Sequence, residues 1–182
     1  MKQPSNLAKL MEYAGGHRYL TYASWILSAV SAFLALVPFW LIWRILLEVL
    51  EVAPDFAQAQ HIATYGWLAV LFAVLSGFIY IAGLMCSHLA AFRVATNIRL
   101  ALTHHIAALP LGRIEAFGSG SLRRIIVQTS SETETYLAHQ LPDKAKVVAT
   151  TIGLLLLLLV FDWRLGILSL LPIVLGFAIC FK

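Results

Sequence analysis

Charge is scarce in this chain. Of its 182 residues only 12% are Asp, Glu, Lys or Arg and 60% are hydrophobic, whereas a soluble domain carries roughly 25% charged and roughly 45–50% apolar residues. With a mean hydropathy of +0.84, most of the surface must face something other than water. Cysteine is nearly absent. Cys86 and Cys180 each lie within an apolar run and read as small buried hydrophobes, so a disulfide-stapled secreted module is excluded. Disorder and collagen are excluded by the same composition. No concentrated basic patch exists either. The net charge of +4 is spread between apolar stretches, which excludes nucleic acid as a partner and leaves the lipid bilayer.

What is present in excess is long apolar runs. Residues 19–43 pass without a charge, more than the roughly 20 residues that cross the hydrocarbon at about 1.5 Å each. A second charge-free stretch, 56–92, contains a core at 62–87. Two shorter runs follow, 147–161 with six consecutive leucines at 154–159, and 165–181. Only Asp162, Trp163 and Arg164 separate them, which predicts a tight hairpin with its charged tip at the water interface and the tryptophan at headgroup level. The expected organisation is a segment 1–18, then spans at about 19–50, 60–90, 143–161 and 165–182, with 88–146 as an excursion out of the bilayer. The first run starts too late and is too long for a cleavable signal peptide.

Lysine and arginine in the connecting segments set the orientation, because positive loops stay cytoplasmic. Lys2, Lys9 and Arg18 precede the first span, and Arg93, Arg99, Arg113, Arg123, Arg124, Lys144 and Lys146 separate the second from the third. Arg44, Glu48, Glu51 and Asp55 stand between the first two. A multi-pass cell-membrane protein with its N-terminus inside, 51–60 and 162–164 outside, and 88–146 inside is therefore expected.

That inner excursion does not look like a loop. Phe92, Ala95, Ile98, Leu102, Ile106 and Leu109 recur three or four apart, and so do Leu122, Ile126, Thr129, Thr133, Leu137 and Leu141; each set predicts an amphipathic helix. Between them Pro110 ends the first helix by its missing N–H, and Gly118 and Gly120 free the backbone before the second. Ser119 or Ser121 is the expected cap. The remaining Leu111–Phe117 suits two helical turns lying crosswise, with Ile114 and Phe117 as apolar tips that mark a docking site for another protein.

Leu109 and Pro110, then Gly120, Leu122, Arg124 and Ile126, and later Phe161, Asp162, Trp163, Arg164 and Leu165, stand in an order and spacing that resembles the transmembrane domain of ABC transporters with the exporter-type fold, from about residue 19 to 182. The resemblance implies an all-α membrane bundle in which two spans extend into the cytoplasm. A short coupling helix joins them and docks in a groove of a nucleotide-binding domain. Residue by residue, that helix falls on Leu111, Gly112, Arg113, Ile114, Glu115, Ala116 and Phe117. It also implies six spans per half, a second transporter half as homo- or heterodimer partner, and ATP with magnesium on a nucleotide-binding domain in cis or in trans. Two positions depart from the family pattern: Arg113-Ile114-Glu115 stands where two aromatics and an acidic residue are frequent, and Thr129 where Asp is common. No glycine is followed by lysine, so no phosphate-cradling loop is present. The chain holds no catalytic motif, reads as part of a longer transporter, and is expected to carry no cofactor of its own. The alternative is a membrane scaffold whose cytoplasmic hairpin recruits a partner without moving a substrate.

Other residues read as structural. Ser24, Ser28, Ala32 and Ala35 form a small-residue stripe for close helix packing. Pro38 and Pro172 are candidate kinks, Trp40 a candidate cavity residue, and Arg44 with Glu48 an i, i+4 surface pair. Lys144 and Lys146 flank re-entry into the lipid. The six histidines raise metal or haem ligation. His61 and His88 sit too far apart along one helix, and His104 and His105 point to different sides, so no metal site is expected.

Overall fold

The structure, a computed structural model, describes residues 6–54 and 59–180, with the side chains of residues 6, 177, 178 and 180 outside that description. Lys2, Asp55, the Cys180 side chain and the last two residues of the fourth predicted span therefore lie outside it. Among the described residues there is no strand. Helix α1 is Asn6–Ala14, followed by a single 3-10 turn, Gly15–His17, and by α2, Arg18–Glu51; α3 is Ile62–Ala107. Then come α4, Leu111–Phe117, and α5, Ser119–Thr135; a π-helical segment, Tyr136–Gln140, leads into α6, Leu141–Phe161, and α7 is Trp163–Cys180. Among the described residues three helices are long and apolar enough to cross a membrane, Leu7–Glu51, Ile62–Ala107 and Ser119–Phe161, and the fourth apolar stretch is shorter in its fully described part, Trp163–Gly176. α3, with 46 residues, is about 69 Å long at 1.5 Å per residue, more than twice a hydrocarbon core of roughly 30 Å.

The chain forms two compact units. The first comprises residues 1–28 and 81–144. Its core is Ala14, Ala91, Val94, Leu137 and Ala138, with Met11, Ile98, Tyr136 and Leu141 packed around it. α1 docks there through Met11 and Ala14, and the Asn97 side-chain amide donates to the Tyr13 carbonyl at 2.8 Å. Phe92 proves exposed, and Ala91, Val94 and Ala95 are the buried positions of that turn. On the returning helix Ser130 is buried and Thr129 exposed. These are single departures from the predicted stripes, each toward a smaller side chain that lets the helices approach closely. Ala95 and Leu137 are buried and Ile98, Leu102, Ile106, Leu109, Leu122, Ile126, Thr133 and Leu141 half-buried, in the predicted phase. Ser24 and Ser28 of the predicted stripe on α2 are buried, as is Thr21 one turn before them, and Gly83 of α3 lies against them. A Cβ on Gly83 would meet the Leu27 Cβ at 3.1 Å and the Ser24 carbonyl at 3.4 Å.

The second unit comprises residues 29–80 and 145–182. Trp43 of α2 stacks on Phe161 at the end of α6, ring centres 4.8 Å apart. Gly153 of α6 receives Leu36 and Phe33, whose side-chain carbons would lie within 2.5 and 3.1 Å of an added Cβ. At the tip of the predicted hairpin the Asp162 carboxylate accepts from the Arg164 N–H at 2.8 Å, capping α7, and Trp163 is exposed. α2 and α7 continue through Pro38 and Pro172. The small-residue stripe ends earlier than predicted: Ala32 is buried but Ala35 is exposed.

Candidate coupling site

The first unit contains two helices joined by a short third, and the backbone chemistry of that junction decides its shape. α3 stops at Ala107, three residues before Pro110, whose ring removes the N–H that a continuing helix needs. Pro110 adopts φ −59° and ψ 141° as the N-cap of α4. Its carbonyl accepts from the Arg113 N–H at 2.9 Å and the Ile114 N–H at 3.3 Å, which starts the two turns of Leu111–Phe117. Gly118 closes them. Its N–H donates to the Ile114 and Glu115 carbonyls, each at 3.2 Å, at φ 72° and ψ 146°, a region open only to glycine without strain. The same glycine is the N-cap of α5, and no side chain caps that helix. The caps expected from Ser119 or Ser121 are therefore not made: Ser119 is already the first helical residue.

No residue of α4 is buried. Leu111 is 71% and Phe117 51% exposed; Ile114 is half-buried, and Gly112, Arg113, Glu115 and Ala116 are exposed. The apolar tips are thus Leu111 and Phe117, with Ile114 turned inward between them. Among the described residues neither Arg113 nor Glu115 has an ion-pair partner. A seven-residue helix with two bare apolar side chains flanked by free charges of both signs has the chemistry of a protein-docking knob, an apolar centre with a polar rim.

Behind this crossbar α3 and the returning helix are fastened at two levels. On the crossbar side the Arg99 guanidinium meets the Glu134 carboxylate at 3.4 Å, both side chains partly buried. Farther along, the Ser87 hydroxyl donates to the Ala138 carbonyl at 2.8 Å. That carbonyl is free because Pro142, four residues on, has no N–H to offer, and the Leu141 N–H instead reaches back five residues to Tyr136. The result is the π segment, a feature that periodicity does not announce. Next to these residues His88 and His139 lie edge to face, ring centres 4.8 Å apart.

Elsewhere the expected Arg44–Glu48 pair is not formed. Glu48 accepts from the His61 N–H at 2.9 Å and meets the His61 ring at 3.3 Å, while the Arg44 guanidinium sits 6.0 Å from the Trp40 ring centre. A folded-back histidine supplies both a backbone and a ring donor and so outcompetes an exposed i, i+4 contact. Trp40 does line a cavity, an apolar groove of about 320 Å³ with Phe33, Leu36, Gly153 and Val160 on its walls. Cys86 is half-buried rather than fully buried. Among the described residues no three His, Cys, Asp or Glu side chains gather where they could hold a metal.

The family described as "ABC transporter transmembrane region" matches residues 21–182. Curated relatives include the mycobactin import ATP-binding/permease protein IrtA of Mycolicibacterium smegmatis, 28% identical over 150 residues, covering 82% of this chain and 17% of the relative. The proteins of the same name from Mycobacterium tuberculosis and Mycolicibacterium thermoresistibile are 28% and 27% identical, covering 79% and 82% of this chain and 16% of each relative. The chain spans about a sixth of the length of these relatives.

Proposed function

Because the chain belongs to the ABC transporter transmembrane family, in which it is a multi-pass transmembrane domain, we propose that α4 is the joint through which a nucleotide-binding domain drives substrate movement. ATP binding closes a pair of such domains. Leu111 and Phe117 sit in a groove of one of them, and the α3–α5 hairpin, fastened at Arg99–Glu134 and Ser87–Ala138, carries the displacement to the spans as a rigid lever. The observation that supports this reading is the exposure of both apolar tips on a helix with no buried residue. ATP and magnesium belong to that partner domain. A second transporter half, alike or different, completes the pathway.

In this reading the N-terminus, the π segment and α4 are cytoplasmic, four spans lie at about 19–50, 60–90, 143–161 and 165–182, and the turns around residues 51–60 and 162–164 face outward. The basic residues of 88–146 support that orientation. The relatives are named for mycobactin import, and a mycobactin cargo is the first to test here; the scarcity of charge along the spans suits an amphipathic molecule.

The joint is tested by Phe117→Asp in the full-length transporter reconstituted in lipid. We expect substrate-stimulated ATPase activity to fall to the basal level while membrane insertion is unchanged. Stimulation at the level of the parent protein would refute the assignment of α4.

A further inference from the structure

His88 and His139 are 51 residues apart, yet they stand side by side because the backbone around them is tied. Ser87 donates to the Ala138 carbonyl at 2.8 Å, so the residue after each of those two is held at the same level on facing helices. The π segment sets the azimuth. One extra residue per turn rotates what precedes it by about 100° relative to a plain α-helix, and His139 lies inside that segment. The ring centres are 4.8 Å apart with planes at 82°. His88 is half-buried against Phe92, at 5.9 Å, and His139 is exposed.

The geometry points to a two-imidazole site for a divalent transition-metal ion, zinc being the probe of choice. Zinc sits about 2.0–2.1 Å from an imidazole nitrogen, hence about 3.2 Å from the ring centre. Two rings 4.8 Å apart then subtend roughly 100° at a shared ion, close to the tetrahedral angle such sites use. The His139 ring is exposed, which leaves room for it to reorient toward a shared ion. Neither imidazole has a hydrogen-bond partner among the described residues, so no existing bond is broken by ligation. With two protein ligands and, among the described residues, no third His, Cys, Asp or Glu beside them, two positions on the ion stay open to water or an exchangeable donor. Such an ion would tie α3 to the π segment and oppose any rotation of one against the other.

The purified full chain in lipid nanodiscs is titrated with Zn²⁺ against a chromophoric chelator, alongside H88A, H139A, H139Q and, as a control, the double variant H104A/H105A. The expected result is one Zn²⁺ per chain in the parent and the control, weakened about tenfold or more in each of the other three. Zn²⁺ should also slow amide exchange across residues 136–140 in the parent and leave it unchanged in H88A. H139Q keeps a side chain of similar polarity at an exposed position, so a loss there is not a loss of folding. Binding that survives H88A and H139A, binding that disappears in the control, or no binding at all overturns the proposal.

Discussion

The Ser87 hydroxyl donates to the Ala138 carbonyl at 2.8 Å and so occupies the acceptor that Pro142 leaves without its helical N–H. Two residues on different helices are thereby linked through a deficiency in one of them. The Ser87 hydroxyl is also 2.8 Å from the Leu84 carbonyl on its own helix, so it sits between two backbone acceptors.

A double-mutant cycle reads this link directly. Ser87→Ala leaves a buried carbonyl unsatisfied, which costs about 1–3 kcal/mol. Pro142→Ala supplies an N–H at the position where an α-helix would use that same carbonyl, so Ser87→Ala made in the Pro142→Ala background should cost less, by about 1 kcal/mol. Denaturation of the four proteins in one detergent gives the coupling. Strictly additive losses would show that the hydroxyl and the proline act independently.

The architecture was legible in the sequence where a single physical rule governs it. Apolar runs long enough for lipid predicted the helices, and Pro110 with Gly118 bounded Leu111–Phe117, which is the observed extent of α4. What could not be read were choices made by tertiary contact. At one level the returning helix buries Ser130 rather than Thr129, and the Ala138 carbonyl that Pro142 leaves free is taken by Ser87, 55 positions before the proline. His61 captures Glu48 from a neighbour four residues away. His88 has no partner in the spacing of histidines along one helix; the fold provides His139. Sequence proximity predicts short-range pairs and is silent on which long-range donor displaces them. The exposed tips of α4 could be read as a pair with one error, Leu111 taking the place of Ile114.

Gly83 provides a prediction in which the sign matters. Alanine normally stabilises a helix relative to glycine by about 1 kcal/mol, and Gly77, with open space around its Cα, should show that gain as Gly77→Ala. At Gly83 the added methyl arrives 3.1 Å from the Leu27 Cβ, a stiff part of the side chain, and 3.4 Å from the Ser24 carbonyl, so the gain is cancelled by crowding. Gly83→Val, with two further carbons, should destabilise by about 1–3 kcal/mol through overpacking. Thermal unfolding of the three variants in lipid nanodiscs ranks them. Equal stabilisation by alanine at both positions would mean that the α2–α3 approach is looser than these distances.

Gly118 makes the last prediction, and it concerns the crossbar alone. At φ 72° and ψ 146° a side chain costs about 1–3 kcal/mol in backbone strain, while the space around Gly118 is open, so Gly118→Ala isolates conformation from packing. Relaxing that strain means giving up the donation to the Ile114 and Glu115 carbonyls that closes α4. Amide exchange across residues 111–117 should then quicken by about tenfold, the factor that 1.4 kcal/mol corresponds to, while exchange in the far part of α5 is unchanged. Gly120→Ala is the matched control: it lies two residues on, also in open space but inside a helix, and should leave α4 as protected as before. If Gly118→Ala leaves exchange in 111–117 at the parent rate, the helix is held by something other than its caps. In the full-length transporter the same variant should weaken substrate-stimulated ATPase activity less than Phe117→Asp does, because it loosens the joint without removing the side chain that fills the groove.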